Sequence, residues 1–144
     1  MRPIAIPSDI QKLWTSGDNS PEERIRVIQA RYKELSKGAI EVSVVIPAYN
    51  EEKNILRTLL SLASNTVSRS TEIIVVNNNS SDNTEKLATA AGVRCITETT
   101  QGITAARNAG LAIARGRYVL NADADSIYPG DWIEEMIAPL ANNE

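Results

Sequence analysis

Four short apolar runs, at 42–46, 72–76, 93–97 and 118–120, alternate with segments whose apolar residues recur at helical spacing. No other feature constrains the fold as strongly. Strand, helix, strand, helix, strand, helix, strand predicts an α/β domain with a doubly wound, mainly parallel sheet, right-handed crossovers and helices on both faces. The runs at 42–46 and 72–76 are almost continuously apolar, as strands covered on both faces require. Between them, Ile55, Leu56, Leu59, Leu60 and Leu62 make one helical stripe, with Glu51 and Glu52 favourably placed at its positive N-terminal end. Asp82 and Glu85 are read as the capping pair of a short alanine-rich helix closed by Gly92. Gly102 opens a helix through 104–114, where Ala105, Ala106, Ala109 and Ala112 allow close approach to the sheet. A last helix starts at Gly130 or Asp131 and runs from Trp132 to Met136 or beyond.

Ahead of the first strand, Ser20 and Glu23 form a capping box, Pro21 takes the first helical position, and Ile25, Ile28, Tyr32 and Leu35 make an amphipathic face. Lys37 and Gly38 end that helix, and residues 1–19 read as an irregular or partly helical lead-in. The expected organisation is an N-terminal extension, 1–40, carrying one amphipathic helix, followed by the α/β domain, 41–144.

At 144 residues, 42% hydrophobic and 23% charged, the chain is long enough for one core. A net charge of -3 without a basic cluster argues against a nucleic-acid surface, which needs concentrated Lys and Arg. With no histidine, Ser-His-Asp chemistry and His-ligated metals are excluded within the chain. The single cysteine, Cys95, is read as a core residue in a reducing compartment. No apolar run reaches the roughly 20 residues that span a bilayer, and no signal-peptide pattern opens the sequence. The expected location is the cytoplasm, with the cytoplasmic face of a membrane as an alternative.

Function is sought at the strand exits, because ligands of open α/β sheets bind beyond the carboxyl ends of the strands. Three exits are polar: 47–51, 77–82 and 121–125. The last carries two carboxylates, Asp123 and Asp125, two residues apart. In strand geometry they would lie roughly 5 to 7 Å apart on one side. At an effective dielectric of about 20 they would repel by roughly 2 to 3 kcal/mol, a cost that Mg²⁺ or Mn²⁺ relieves. Neither Gly-x-Gly-x-x-Gly nor a Gly-Lys-Ser/Thr loop follows the first strand, so phosphates would be held through a metal instead.

Val44-Val45-Ile46-Pro47-Ala48-Tyr49-Asn50-Glu51-Glu52, the run from Glu72 to Thr84, Ala105-Ala106-Arg107-Asn108-Ala109-Gly110 and Asp123-Ala124-Asp125 together resemble family 2 glycosyltransferases of the Rossmann-like GT-A fold. The likeness covers about residues 41–140. It implies a nucleotide-diphospho-sugar donor, UDP- or GDP-linked, whose base and ribose are met by Pro47, Ala48, Tyr49 and Glu51. It also implies a base contact at Asn78, where the family usually has Asp, and a diphosphate or sugar contact at Arg107. Asp123 and Asp125 match the family's DXD metal pair, with Asp125 the direct ligand of Mn²⁺ or Mg²⁺ and Asp123, with Ala124, facing the ribose or sugar. The implied reaction is inverting transfer to an unidentified acceptor hydroxyl. The family's general base lies downstream of the pair, so none is identified up to Glu144, and 1–144 alone is expected to be a donor-binding part that transfers no sugar. A non-catalytic nucleotide-binding or interaction module and a nucleotidyltransferase are the alternatives, and self-association through an apolar edge is a further expectation.

Overall fold

The computed structural model describes Ser8 and residues 20–142. Apart from Ser8, the lead-in read from the sequence lies outside the described residues. Helix α1 (Pro21–Leu35) precedes β1 (Val42–Ala48), α2 (Ile55–Ala63), β2 (Thr71–Asn77), α3 (Thr84–Ala90), β3 (Arg94–Thr97), α4 (Ile103–Ile113), β4 (Tyr118–Asn121) and α5 (Trp132–Ala141). The strands form one parallel sheet in the order β3-β2-β1-β4. The doubly wound α/β reading is therefore met.

Strand alternation sorts the apolar residues onto two faces. Val42, Val44, Ile46, Ile73 and Val75 join Ile28, Leu59, Leu60, Leu62, Ile133 and Ile137 in the larger core, under α1, α2, α3 and α5. Val45, Ile74 and Val76 meet Ala106 in a smaller core under α4. Truncating one of the fully buried leucines of α2 to Ala would cost about 2 to 5 kcal/mol.

The small-residue face of α4 differs from its expected composition. Ala106 and Gly110 are the buried positions, whereas Ala112 is exposed. A Cβ at Gly110 would fall 2.3 Å from a methyl of Val45, so glycine sets how closely this helix approaches the sheet.

Strand β1 also differs from expectation, since it continues through Pro47 to Ala48. Proline offers no ladder donor. The β4 ladder has ended by that level, at Val45 opposite Asn121, so no donor is missed there. At the other end of the sheet, Ile73 lies before the β3 ladder begins, and its N–H is accepted by the Tyr32 hydroxyl of α1 at 3.2 Å. Helix α1 begins as read, with Ser20 Oγ accepting from the Glu23 N–H at 3.2 Å. The Glu23 carboxylate pairs with Arg26 instead of closing the box.

Glu72, 3% exposed, anchors the amino-terminal edge of the sheet. It accepts from Ser43 Oγ and from the Arg115 N–H, each at 2.8 Å, while Arg94 stands 3.8 Å away. Ser43 Oγ in turn accepts from the Gly116 N–H at 2.9 Å. This buried chain fixes the connection from α4 into β4. A groove of about 690 Å³ lies at that same edge, lined in part by Glu34, Leu35, Val67 and Arg69, remote from the strand exits.

Candidate functional site

Strand order places the exits of β2, β1 and β4 side by side at the carboxyl edge. The β1 and β2 exits are laced together. Asn50 donates its N–H to Ser80 Oγ at 2.9 Å, and its side-chain oxygen accepts from the Ser81 N–H at 2.8 Å. Glu51 N–H donates to Thr84 Oγ1 at 2.8 Å, Glu52 N–H to Asp82 Oδ2 at 3.2 Å, and Asn83 N–H to Glu52 Oε2 at 3.0 Å. Asn50 and Asn79 adopt left-handed backbone angles (φ 51° and 62°), which asparagine tolerates better than most side chains.

Asp82 does not cap α3 as the sequence implied. The cap position is Asn83, without a side-chain bond, and the Glu85 carboxylate accepts from Asn77 Nδ2 at 3.3 Å. Asp82, one residue earlier, accepts from the N–H and hydroxyl of Thr84 and from Glu52 across the rim. Desolvation raises its pKa, but these hydrogen bonds together outweigh it and hold the carboxyl below its ordinary 3.8. A depressed folded pKa adds stability that is complete above the unfolded value and lost as pH falls through the folded one. Asp82→Asn should therefore be less stable than the parent at neutral pH, with the gap closing as pH falls below 3.8 and through the lowered folded value. Thermal melts of both proteins across pH 2 to 7 check this, and a gap independent of pH would refute it.

Beyond β4 the chain forms a turn at Ala124 and Asp125, so strand geometry ends before the pair of acids. The alternation in exposure nevertheless continues. Ala122 (3%) and Ala124 (5%) face the core, and Asp123 and Asp125 are exposed. The ladder's last link, Ala122 N–H to the Val45 carbonyl at 2.9 Å, sets this turn against the β1 exit. Asp123 continues the register at about the level of Pro47.

The supports of this turn were not anticipated from the sequence. Thr58, Ser61 and Asn65 form a polar stripe along α2 and beyond its end. Thr58 Oγ1 lies 2.9 Å from the Ala124 carbonyl and 2.7 Å from that of Ser126. Ser61 Oγ accepts from the Tyr128 N–H at 3.0 Å. Asn65 donates to the Pro129 carbonyl at 3.1 Å and accepts from the Ile133 N–H at 3.0 Å. The Tyr128 hydroxyl accepts from the Asp123 N–H at 2.6 Å. Burial, with the neighbouring Asp123 and Asp125 charges, raises the phenol pKa and keeps it neutral. A signal existed in the sequence: Thr58 and Ser61 interrupt an otherwise apolar face at helical spacing.

The other residues expected at the site divide by exposure. Tyr49 is 54% exposed at the end of β1, Ala48 is buried, and Pro47 is half-buried. Glu51 is half-buried and accepts from Asn54 Nδ2 at 3.1 Å. Arg107 is exposed on the second turn of α4. Asn78 is 4% exposed. Asp123 and Asp125 form no ion pair among the described residues, and no group of three or more potential metal ligands occurs there. The donor set for a metal is thus two exposed carboxylates, which suits a hard cation whose remaining ligands come from phosphate and water.

The profile of Glycosyl transferase family 2 matches residues 43–144, from β1 past the paired acids. The chain belongs to that family. Among its relatives, glycosyltransferase AglE of Haloferax volcanii is 33% identical over 107 residues, covering 69% of this chain and 35% of AglE. The UDP-Glc:alpha-D-GlcNAc-diphosphoundecaprenol beta-1,3-glucosyltransferase WfgD of Escherichia coli is 30% identical over 106 residues, 71% of this chain and 42% of WfgD. S. aureus TarS 1–349 in complex with UDP superposes with a TM-score of 0.61 at 29% identity, covering 72% of this chain and 32% of the TarS 1–349 chain. Glucosyl-3-phosphoglycerate synthase from Mycobacterium tuberculosis, in complex with Mn²⁺, UDP and phosphoglyceric acid, gives 0.58 at 29% identity, covering 81% of this family 2 chain and 42% of the synthase. The chain spans about a third of AglE, at 35%, and 42% of WfgD. These neighbours share the GT-A architecture. Among the described residues, no helix is long and apolar enough to cross a membrane.

Proposed function

We propose that the chain forms the donor-binding part of an inverting glycosyltransferase that takes a sugar from a nucleotide diphosphate and passes it to an acceptor hydroxyl. The observation that carries this reading is the Asp123–Asp125 turn, two exposed carboxylates with no ion pair among the described residues, braced by α2 against the exit of β1. UDP is the leading nucleotide, on the strength of the UDP complexes among the structural neighbours, with GDP as the alternative.

In this reading Tyr49 stacks on the base, Pro47 and Ala48 shape the floor beneath base and ribose, and Glu51 lies beside the ribose. Asn78 stands on the base side of the crevice, and Arg107 reaches toward the diphosphate or sugar. Asp125 holds Mn²⁺ or Mg²⁺ directly, while Asp123 shares the ion and faces the ribose or sugar across Ala124. When bound, the cation offsets charge developing on the departing diphosphate. The chain's own residues orient the donor so that the anomeric carbon presents one face to the acceptor. The general base is assigned to no residue of this chain. Half-buried Cys95 as the single thiol fits a reducing compartment, and we favour a cytoplasmic setting.

Calorimetric titration of the purified chain with UDP and with GDP, each with and without Mn²⁺, tests the proposal. Metal-dependent binding of one nucleotide is the expected result. Binding of neither, with the chain folded, would overturn it and favour a module that keeps the fold without the chemistry.

A further inference from the structure

The resemblance to the family places a base contact at Asn78, but the side chain is fully occupied. Its Nδ2 donates to the carbonyls of Glu98 and Thr100, both at 2.9 Å. Its Oδ1 accepts from the Gly102 N–H at 2.9 Å and from Gln101 Nε2 at 3.3 Å. A primary amide has two donor hydrogens and two acceptor lone pairs. All four are used within the protein. A base N–H could be accepted only by expelling Gly102 or Gln101.

The neighbours act in the same direction. Glu98 N–H donates to the Asn77 carbonyl at 2.9 Å, and Asn79 Nδ2 donates to the Thr99 carbonyl at 2.6 Å. Three consecutive asparagines thus bind the segment 98–102 to the end of β2. That segment leads into α4, which carries Arg107, and turns at Gly102 with φ 132°.

We propose that Asn78 is a positioning residue: it does not read the nucleobase but latches residues 98–102 onto the carboxyl end of β2, fixing one wall of the crevice and the start of α4. This inference rests on the donor-site reading above for its consequence, though the latch itself does not. An amide is required here because Nδ2 faces two carbonyl oxygens. A carboxylate offers only acceptors and would set oxygen against oxygen at both.

The test compares the parent chain with Asn78→Asp and Asn78→Ala. Amide hydrogen exchange, measured without nucleotide, is expected to show protection at Gly102 that both variants lose, while Val44 and Val45 of β1 stay protected. Calorimetry with UDP and with GDP in Mn²⁺ is expected to show both affinities falling by the same factor, about tenfold, with their ratio unchanged. A ratio shifted tenfold or more by Asn78→Asp would make Asn78 a base reader and overturn the proposal. Unchanged protection at Gly102 in both variants would overturn the latch whether or not nucleotide binds. If the parent chain binds neither nucleotide, the donor-site reading fails, and the exchange result still decides the latch.

Discussion

Asp125→Asn is expected to weaken Mn²⁺-dependent nucleotide binding by more than about 100-fold, exceeding the 10- to 100-fold typical of partners one shell further out. Two exposed oxygen donors are a sparse ligand set, so losing the charge of one leaves the ion held largely by the nucleotide's phosphates and water. The same substitution should act oppositely without metal. Asp123 and Asp125 then face the diphosphate as like charges, and removing one reduces the repulsion, so metal-free affinity should rise modestly. Opposite signs in the two conditions separate a metal ligand from a residue that merely supports the turn. Among the described residues the Asp125 carboxylate accepts no hydrogen bond that would hold the backbone, and the turn is carried by Thr58, so the variant should keep the parent's melting temperature. Equal weakening with and without Mn²⁺ would count against the metal role.

Gly116→Ala should lower stability by about 3 kcal/mol, the upper end of the usual overpacking cost. A Cβ there would lie 2.6 Å from the Ser43 nitrogen and from the Val42 carbonyl carbon, both main-chain atoms of the central strand. No rotamer change can relieve such a contact. Either β1 moves, or the entry to β4 backs away and loses the Gly116 N–H bond to Ser43 Oγ. Ser43 also donates to Glu72, so displacement reaches a carboxylate that is 3% exposed and depends on its hydrogen bonds. The melting temperature should fall by on the order of 10 °C. A melt within 2 °C of the parent, roughly the effect of half a kcal/mol, would show that the connection is softer than its packing implies.

The order of elements was legible because each strand is a short, mainly apolar run and the longer helices carry their own period, so local pattern and final burial largely coincide. Pro47 misled as a strand terminator, since whether a missing N–H matters depends on where a neighbouring strand's ladder ends. The residues of the carboxyl edge were legible as polar exits, but their division of labour was not. Asp82 looked like a cap because capping is a local pattern, and it does meet Thr84 two residues on, whereas its other partner, Glu52, lies 30 residues away. Asn78 looked like a base contact because it falls on a family position that usually holds Asp, and no local pattern announced that its four side-chain bonds run to a segment beginning 20 residues downstream. Thr58 went unremarked beside an apolar stripe because the carbonyls it meets are 66 and 68 residues off.

The lacing of the β1 and β2 exits bears on how the crevice would respond to a nucleotide. Asn50, Glu51, Glu52, Ser80, Ser81, Asp82 and Thr84 already restrain one another across the rim. Their conformational freedom is surrendered during folding, so little is left to lose on association, and a ligand's contacts there appear almost undiminished as affinity. Around Asp123 and Asp125 the backbone is braced by Thr58 and Tyr128, but among the described residues the two exposed carboxylates themselves carry no such restraint, so any stiffening that accompanies binding should be confined to their side chains.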